Sequence, residues 1–275
     1  MLKNILIHLD SSKQCASRLD TAIGLARRHD AHLTGLYVLT RPEIPPFVQA
    51  GISAEIIDAQ INEARDEGHK VLDGFEKKAA DEGLAFEARL VEGLPVQVLN
   101  DHARCFDLLV VGQYDPDDEV LYAMDDMPDS IIMGTGCPVL VIPYAGKFPV
   151  VGDNVIVAWD ASRQASRAIT VGISILEAAK KVNVLSINPA EKDLGDTPGA
   201  DVCLHLARHS IKANAEHITS KGTNGADMLL SRSADESADL IVMGAYGHAR
   251  WREIALGGFT RHMLAHMTVP VLMSN

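Results

Sequence analysis

Two patterns in the 275-residue chain use residue types suited to binding a small anionic ligand. The first is Leu240-Ile-Val-Met-Gly244-Ala-Tyr-Gly247, nine residues from His248 to Leu256, then Gly257-Gly258-Phe259-Thr260. An apolar strand feeds two glycines, and a glycine pair then opens an apolar, helix-like segment from Phe259 to Met267. Glycines let the backbone approach an anion closely, and the free N–H groups of a helix start point at it. The chemistry that fits is phosphate binding by main-chain donors. The second pattern is an acid closing a short buried strand, Asp10 after Asn4-Ile-Leu-Ile-His-Leu and Asp160 after Asn154-Val-Ile-Val-Ala-Trp. A general base needs a nucleophile or a paired acid at a defined spacing. Neither aspartate has one, so Asp160 reads as a ligand contact and Asp10 as a helix-start residue.

The elements that position these residues alternate. After the strand ending at Asp10, Ser11 or Ser12 is placed to cap a helix through Ala16, Leu19, Ala22 and Ile23. A strand at His32–Leu39, a loop broken by Pro42, Pro45 and Pro46, and a long polar helix from Ala54 to Asp81 follow, closed by Gly83. Phe86–Val91, Leu108–Val111 and Val139–Ile142 read as strands and Pro95–Ala103 as a helix. Strands alternating with helices imply an α/β fold with a parallel sheet covered on both faces.

The same order then recurs. Asn154–Asp160 matches Asn4–Asp10 at an offset of 150, and Asp239–Gly244 matches Asp107–Gly112 at 132. Val269-Pro-Val-Leu-Met273 matches Cys137-Pro-Val-Leu-Val141, also at 132. The chain is therefore a duplicated domain, divided at residues 1–147 and 148–275. The second copy is 18 residues shorter between its first and fourth strands, most simply in the long helix.

The Gly-x-x-Gly pattern, nine residues, then glycine, with a first-strand Asp and a Pro-Val-Leu final strand, resembles the universal stress protein family in two tandem copies. The resemblance implies two doubly wound domains, each a five-stranded parallel sheet of order 3-2-1-4-5 flanked by helices. It places a ligand at the strand ends beside the order reversal. The ligand it implies is ATP or AMP/ADP, with or without Mg. By position, Ala158, Trp159 and Asp160 line base and ribose, and Ile187 meets adenine through its backbone. Met243 and Gly244 lie under the ribose and first phosphate. Gly247, His248, Gly257, Gly258 and Phe259 surround the phosphates. The family's Ser/Thr after the third glycine is Gly258 here, which weakens the case for tight triphosphate and metal binding; Thr260, two residues on, partly substitutes. Arg250 and Arg252 read as a solvated loop face.

The first copy departs further. Gly247, Gly257 and Gly258 correspond to Asp115, Asp125 and Asp126, and Gly112 alone is kept. Unit charges about 4 Å apart repel by about 4 kcal/mol at an effective dielectric of 20. Carboxylates in place of phosphate donors therefore predict that the first copy binds no nucleotide in this mode. Asp125 and Asp126, just before Pro128, are placed to satisfy a helix start. The acidic run Asp115-Pro-Asp-Asp118 reads as a solvated loop.

Other clusters carry less. His205 and His209 share a helix face that Cys203 does not join, and two ligands are too few for structural zinc. His262 and His266 are four apart, a helix-face pair. Cys15, Cys105 and Cys137 suit small-hydrophobe roles, and four cysteines without a CxxC spacing fit reduced thiols in the cytoplasm.

The net charge of −12 disfavours nucleic acid and acidic membrane surfaces as partners. No apolar run approaches eighteen residues, so no membrane span is expected. The leading reading is a stress-response regulator that holds an adenine nucleotide in its second copy. A slow ATPase and a scaffold or small-ligand binder without nucleotide are the alternatives; the sequence offers no obvious base for hydrolysis. The resemblance also implies that the fifth strands, Val139–Ile142 and Val271–Met273, pair within the chain as an internal pseudo-dimer, and it leaves open a further homodimer.

Overall fold

A computed structural model describes residues 1–40, 53–118, 126–188, 198–219, 222, 224–247 and 258–275. In the first half, β1 (Asn4–Leu9), α1 (Cys15–His29), β2 (His32–Leu39) and α2 (Ala54–Asp81) are followed by β3 (Phe86–Glu92), α3 (Pro95–Ala103), β4 (Leu108–Gly112), α4 (Met127–Gly134) and β5 (Val139–Ile142). The second half contains β6 (Asn154–Ala158), α5 (Arg163–Leu176), β7 (Lys181–Ile187), α6 (Ala200–Arg208), β8 (Ala213–Ile218), α7 (Gly225–Asp235), β9 (Leu240–Gly244), α8 (Phe259–His266) and β10 (Val271–Ser274).

The strands form one ten-stranded sheet of order β3-β2-β1-β4-β5-β10-β9-β6-β7-β8. Each half is thus a parallel sheet of order 3-2-1-4-5, and the halves join edge to edge. The join is the antiparallel pair β5–β10, with Val141 opposite Val271, Leu140 opposite Leu272 and Val139 opposite Met273. All six are buried. A buried, self-paired edge removes the open strand that an isolated half would expose to other chains.

Alternation along the strands builds two cores, one on each face. Ile5, Ile7 and Leu9 enter one with Leu140, Val155, Val242 and Leu272. Leu6 enters the other with Val139, Val141, Ile156, Ile241, Val271 and Met273. Both cores run through both halves, so the two halves share their interior. Burying a large aliphatic side chain contributes about 1.5–3 kcal/mol, which makes this shared interior the main attachment between the halves.

The registers confirm the duplication and refine the length difference. Ile5 pairs Leu108 in one half and Val155 pairs Leu240 in the other, the offsets of 150 and 132 read from the sequence. Leu33 pairs Phe86, while Val182 pairs Ala213, so the offset falls from 149 at the second strand to 127 at the third. It recovers to 132 at the fourth. The shortening therefore falls between the second and third strands, where α2 has 28 residues and α6 has nine.

An aspartate repeated at this offset pins the base of each half. The Asp107 carboxylate accepts from the backbone N–H groups of Lys3 and Asn4 at 2.7 and 2.9 Å. The Asp239 carboxylate accepts from those of Gly152, Asp153 and Asn154 at 2.8–3.1 Å. Each acid ties the start of the fourth strand to the start of the first.

Two expected caps are corrected. The residue before α1 is Gln14, with no side-chain cap; the Ser12 hydroxyl instead donates to the Asp10 carboxylate. Asp126 does precede α4, but its side chain makes no capping bond; Asp125 lies outside the described residues. By contrast, Ser162 accepts from Ala165 N–H at 3.1 Å and Asn224 from Ala226 N–H at 3.0 Å, starting α5 and α7.

Candidate functional site

The second half is open at the strand ends beside the order reversal. Backbone and side chains from β6, β7, β9 and the start of α8 enclose a cavity of about 240 Å³, near the lower end of the roughly 300–1,000 Å³ usual for small-molecule sites. Ala158, Trp159, Asp160, Ile187, Met243, Gly244, Gly247, Phe259 and Thr260 all line it. Gly258 adjoins it as the residue capping α8, in extended conformation and without a side chain to cap the helix. His248 and Gly257, with Arg250 and Arg252, lie outside the described residues.

Each described element supplies something different. Trp159 N–H donates to Leu185 carbonyl at 2.9 Å, which continues the β6–β7 pairing into the pocket wall. Asp160 is exposed, and its Oδ1 accepts from Ser162 N–H at 3.0 Å. This fixes the carboxylate at the rim and leaves its second oxygen to accept from a ligand hydroxyl. Ile187, Met243 and Phe259 give an apolar interior. At α8 the first intrahelical bond runs from His262 N–H to the Gly258 carbonyl at 3.0 Å. The earlier N–H groups of that helix have no partner within it, the general condition of a helix start.

Close approach requires one glycine and crowds a second. A β-carbon at Gly244 would lie 2.4 Å from the Ala165 backbone nitrogen, so strand β9 can enter the pocket floor only as glycine. A β-carbon at Gly247 would lie 3.2 Å from Ser162 Oγ. The Thr260 hydroxyl is buried and accepts from Tyr246 N–H at 3.2 Å. Its first task is therefore holding the glycine loop.

Four lining residues escaped the sequence reading: Leu185, Asn188, Gly225 and Tyr246. Asn188 and Tyr246 have φ of +47° and +56°, a region that L-residues other than Asn and Asp seldom adopt. Gly225 keeps the wall open, because a β-carbon there would come within 3.3 Å of Phe259 and 3.6 Å of Ile187. An asparagine directly after a strand and a glycine directly after a capping Asn224 were the available signals.

The equivalent place in the first half is filled by its own side chains. Arg18 lies wholly buried, with a guanidinium nitrogen 2.8 Å from the Asp10 carboxylate and its Nε donating to the His8 carbonyl at 2.9 Å. The same guanidinium sits where a β-carbon on Gly112 would be, 2.3 Å away. At the offset of 150, His8 and Arg18 stand where the open half has Ala158 and Ala168. Two alanines leave space; a histidine and an arginine occupy it. Burial of the Asp10 carboxyl would raise its pKa, but the Arg18 charge, His8 and the Ser12 hydrogen bond win and hold it at about 2. Burial lowers His8 to about 4, against the pull of Asp10. The acidic run, expected to be a solvated loop, is in part buried: Asp115, at the position of Gly247, and Asp118 are buried, and the Asp115 carboxylate accepts from Asp117 N–H at 3.0 Å, folding the loop onto itself.

The remaining clusters are structural. His262 pairs with Asp227 on α7 at 2.6 Å and stacks on His266. His205 and His209 have ring centroids 4.9 Å apart. Among the described residues no group of three or more His, Cys, Asp or Glu is arranged to hold a metal ion. Cys15 and Cys137 are buried, and burial pushes the Cys137 thiol up to about 12. Cys105 is exposed and does not pack as expected. Among the described residues no helix is long and apolar enough to cross a membrane.

A pair of doubly wound halves, one open and one closed at the topological switch point, defines a duplicated α/β protein. A model of the universal stress protein family matches residues 1–143 and again residues 152–275, and the chain belongs to that family. The universal stress protein YxiE of Bacillus subtilis (strain 168) is 28% identical over 147 residues, 52% of this chain and 99% of that protein. A crystal structure of a universal stress protein from Archaeoglobus fulgidus DSM 4304 is similar with a TM-score of 0.78 and 16% identity, over 99% of this chain and 96% of that one. One of a putative universal stress protein from Pseudomonas aeruginosa UCBPP-PA14 gives 0.62 and 14%, over 99% and 93%. At such identities the structural likeness concerns the fold.

Proposed function

We propose that the chain is a cytoplasmic, stress-response regulatory protein that holds one adenine nucleotide (ATP, ADP or AMP) in its second domain, residues 148–275. The first domain, residues 1–147, takes none. The observation that carries this reading is the contrast between equivalent places. The second half has a cavity between an exposed Asp160 and the glycine-capped start of α8. The first half has the Arg18–Asp10 ion pair in that position. In the open pocket, adenine lies between Ile187 and Met243, a ribose hydroxyl donates to Asp160, and phosphates meet Gly247, Gly258 and the N–H groups of Phe259 and Thr260. With Gly258 in place of a hydroxyl residue, ADP and AMP are bound nearly as well as ATP with Mg.

The test is mass spectrometry of the small molecules that leave the purified protein on denaturation, for the natural chain and for Gly247→Asp. An adenine nucleotide from the former and none from the latter supports the reading. A nucleotide retained equally by both removes the site assignment, and none from either favours a scaffold.

A further inference from the structure

The glycine loop of the open pocket is held from the closed half. Tyr246, between Gly244 and Gly247, sits at a φ of +56°, a conformation a bulky L-residue keeps only when its surroundings impose it. Two contacts do so. Its N–H donates to Thr260 Oγ1 at 3.2 Å, and its phenolic O–H donates to the carboxylate of Asp129 on α4. Asp129 belongs to the other half, 117 residues away in sequence. Its carboxylate also lies 3.8 Å from Arg261 Nε on α8.

The seam is built from equivalent positions that have diverged. At the offset of 132, Tyr246 corresponds to Tyr114 and Arg261 to Asp129 itself. The same place on the two helices therefore carries opposite charges, which face each other across the join. Beside them Gln113 Nε2 donates to the Leu264 carbonyl of α8 at 2.8 Å. The first half thus holds the glycine loop through Tyr246 and the C-terminal part of α8 through Gln113.

We propose that Asp129 is a positioning residue for ligand phosphates: through Tyr246 it sets the glycine loop in the conformation that presents Gly247. This rests on the nucleotide reading above. The closed half is then a fixed support that makes the open pocket complete, and the joined halves bind phosphate better than the second half's own contacts would allow. Because the Tyr246 O–H is spent on Asp129 and its loss leaves the ring that lines the cavity in place, the effect falls on phosphate and spares the nucleoside.

The experiment compares ATP and adenosine affinities, by calorimetry on the full chain, for Tyr246→Phe, Asp129→Ala and the control Tyr114→Phe. Tyr246→Phe keeps the ring and removes the O–H donor. The expected result is an ATP affinity about tenfold weaker in the first two, the order lost with a hydrogen bond to a charged group. Adenosine affinity is unchanged throughout, and Tyr114→Phe is indistinguishable from the natural chain. The double variant Tyr246→Phe/Asp129→Ala loses no more than either single one, because both remove the same bond. Unchanged ATP affinity in Tyr246→Phe, or equal weakening of ATP and adenosine, overturns the proposal while leaving the nucleotide reading intact. A natural chain that binds neither ligand overturns both.

Discussion

The Arg18 guanidinium lies 2.8 Å from the Asp10 carboxylate, with both groups out of solvent contact or nearly so. Taking two charges out of water is costly, and removing one partner strands the other. Arg18→Ala, the residue present at the equivalent position of the open half, is therefore expected to lose about 3–5 kcal/mol of stability in urea unfolding. Asp10→Asn combined with Arg18→Leu recovers most of that loss. If Arg18→Ala alone is as stable as the natural chain, the ion pair does not hold the first half closed.

Beside that pair, His8 is kept neutral by burial, its pKa lowered from 6.5 to about 4. Between these values the unfolded chain takes up a proton that the folded chain refuses, so stability is fully present above pH 6.5 and falls as pH drops towards 4. A shift of this size corresponds to about 3 kcal/mol. Asp10, lowered from 3.8 to about 2, adds a second loss only below pH 3.8. The measurement is unfolding free energy at pH 7.5 and 4.5 for the natural chain and His8→Gln. The variant is expected to show a difference smaller by about 2–3 kcal/mol. Parallel pH profiles would mean His8 is not the group responsible.

The open pocket depends on a missing side chain at the start of α7. Gly225→Leu projects into the space between Phe259 and Ile187. Nucleotide affinity is expected to fall at least about tenfold, a modest steric cost of about 1.4 kcal/mol, with little change in thermal stability. Trp159 lines the same cavity, so its fluorescence change on titration reads the binding directly. A Gly225→Leu chain that binds as before places the ligand elsewhere.

The aspartate anchors offer a check on the shared interior. Asp239→Ala removes the acceptor for three backbone N–H groups and Asp107→Ala for two. Unsatisfied groups cost about 1–3 kcal/mol each when they stay buried. Because the cores run through both halves, each variant is expected to lower a single unfolding transition in calorimetry. Two separated transitions would show the halves melting independently.

Much of this architecture was legible because it repeats. Offsets of 150 and 132 matched the first, fourth and fifth strands of the two copies, and the strand order and the β5–β10 pairing followed from the family's pattern. The pocket was legible where backbone chemistry dominates, at Gly244, Gly247 and Asp160. What was not legible depends on contacts distant in sequence. Arg18 lies on the buried stripe Cys15, Arg18, Leu19, Ala22 of α1, yet an arginine on an amphipathic helix reads as a solvated one until its partner is known. The first half was expected to reject nucleotide through the repulsion of its aspartates. The structure adds a steric reason at Arg18 and His8 that the glycine comparison did not reach. Tyr246 and Asp129 meet only because the halves join, and local pattern carries no sign of that contact. Ser12 was misassigned because a serine before a helix has two competing acceptors and donors nearby, and Asp10 wins its hydroxyl.

The central claim is that one half is loaded and the other filled by its own residues. Calorimetric titration of nucleotide into the ligand-free full chain tests it through stoichiometry. The account predicts one site per chain, abolished by Gly247→Asp, which installs the residue type found at Asp115. Two sites per chain, or one site that survives Gly247→Asp with unchanged affinity, would contradict it.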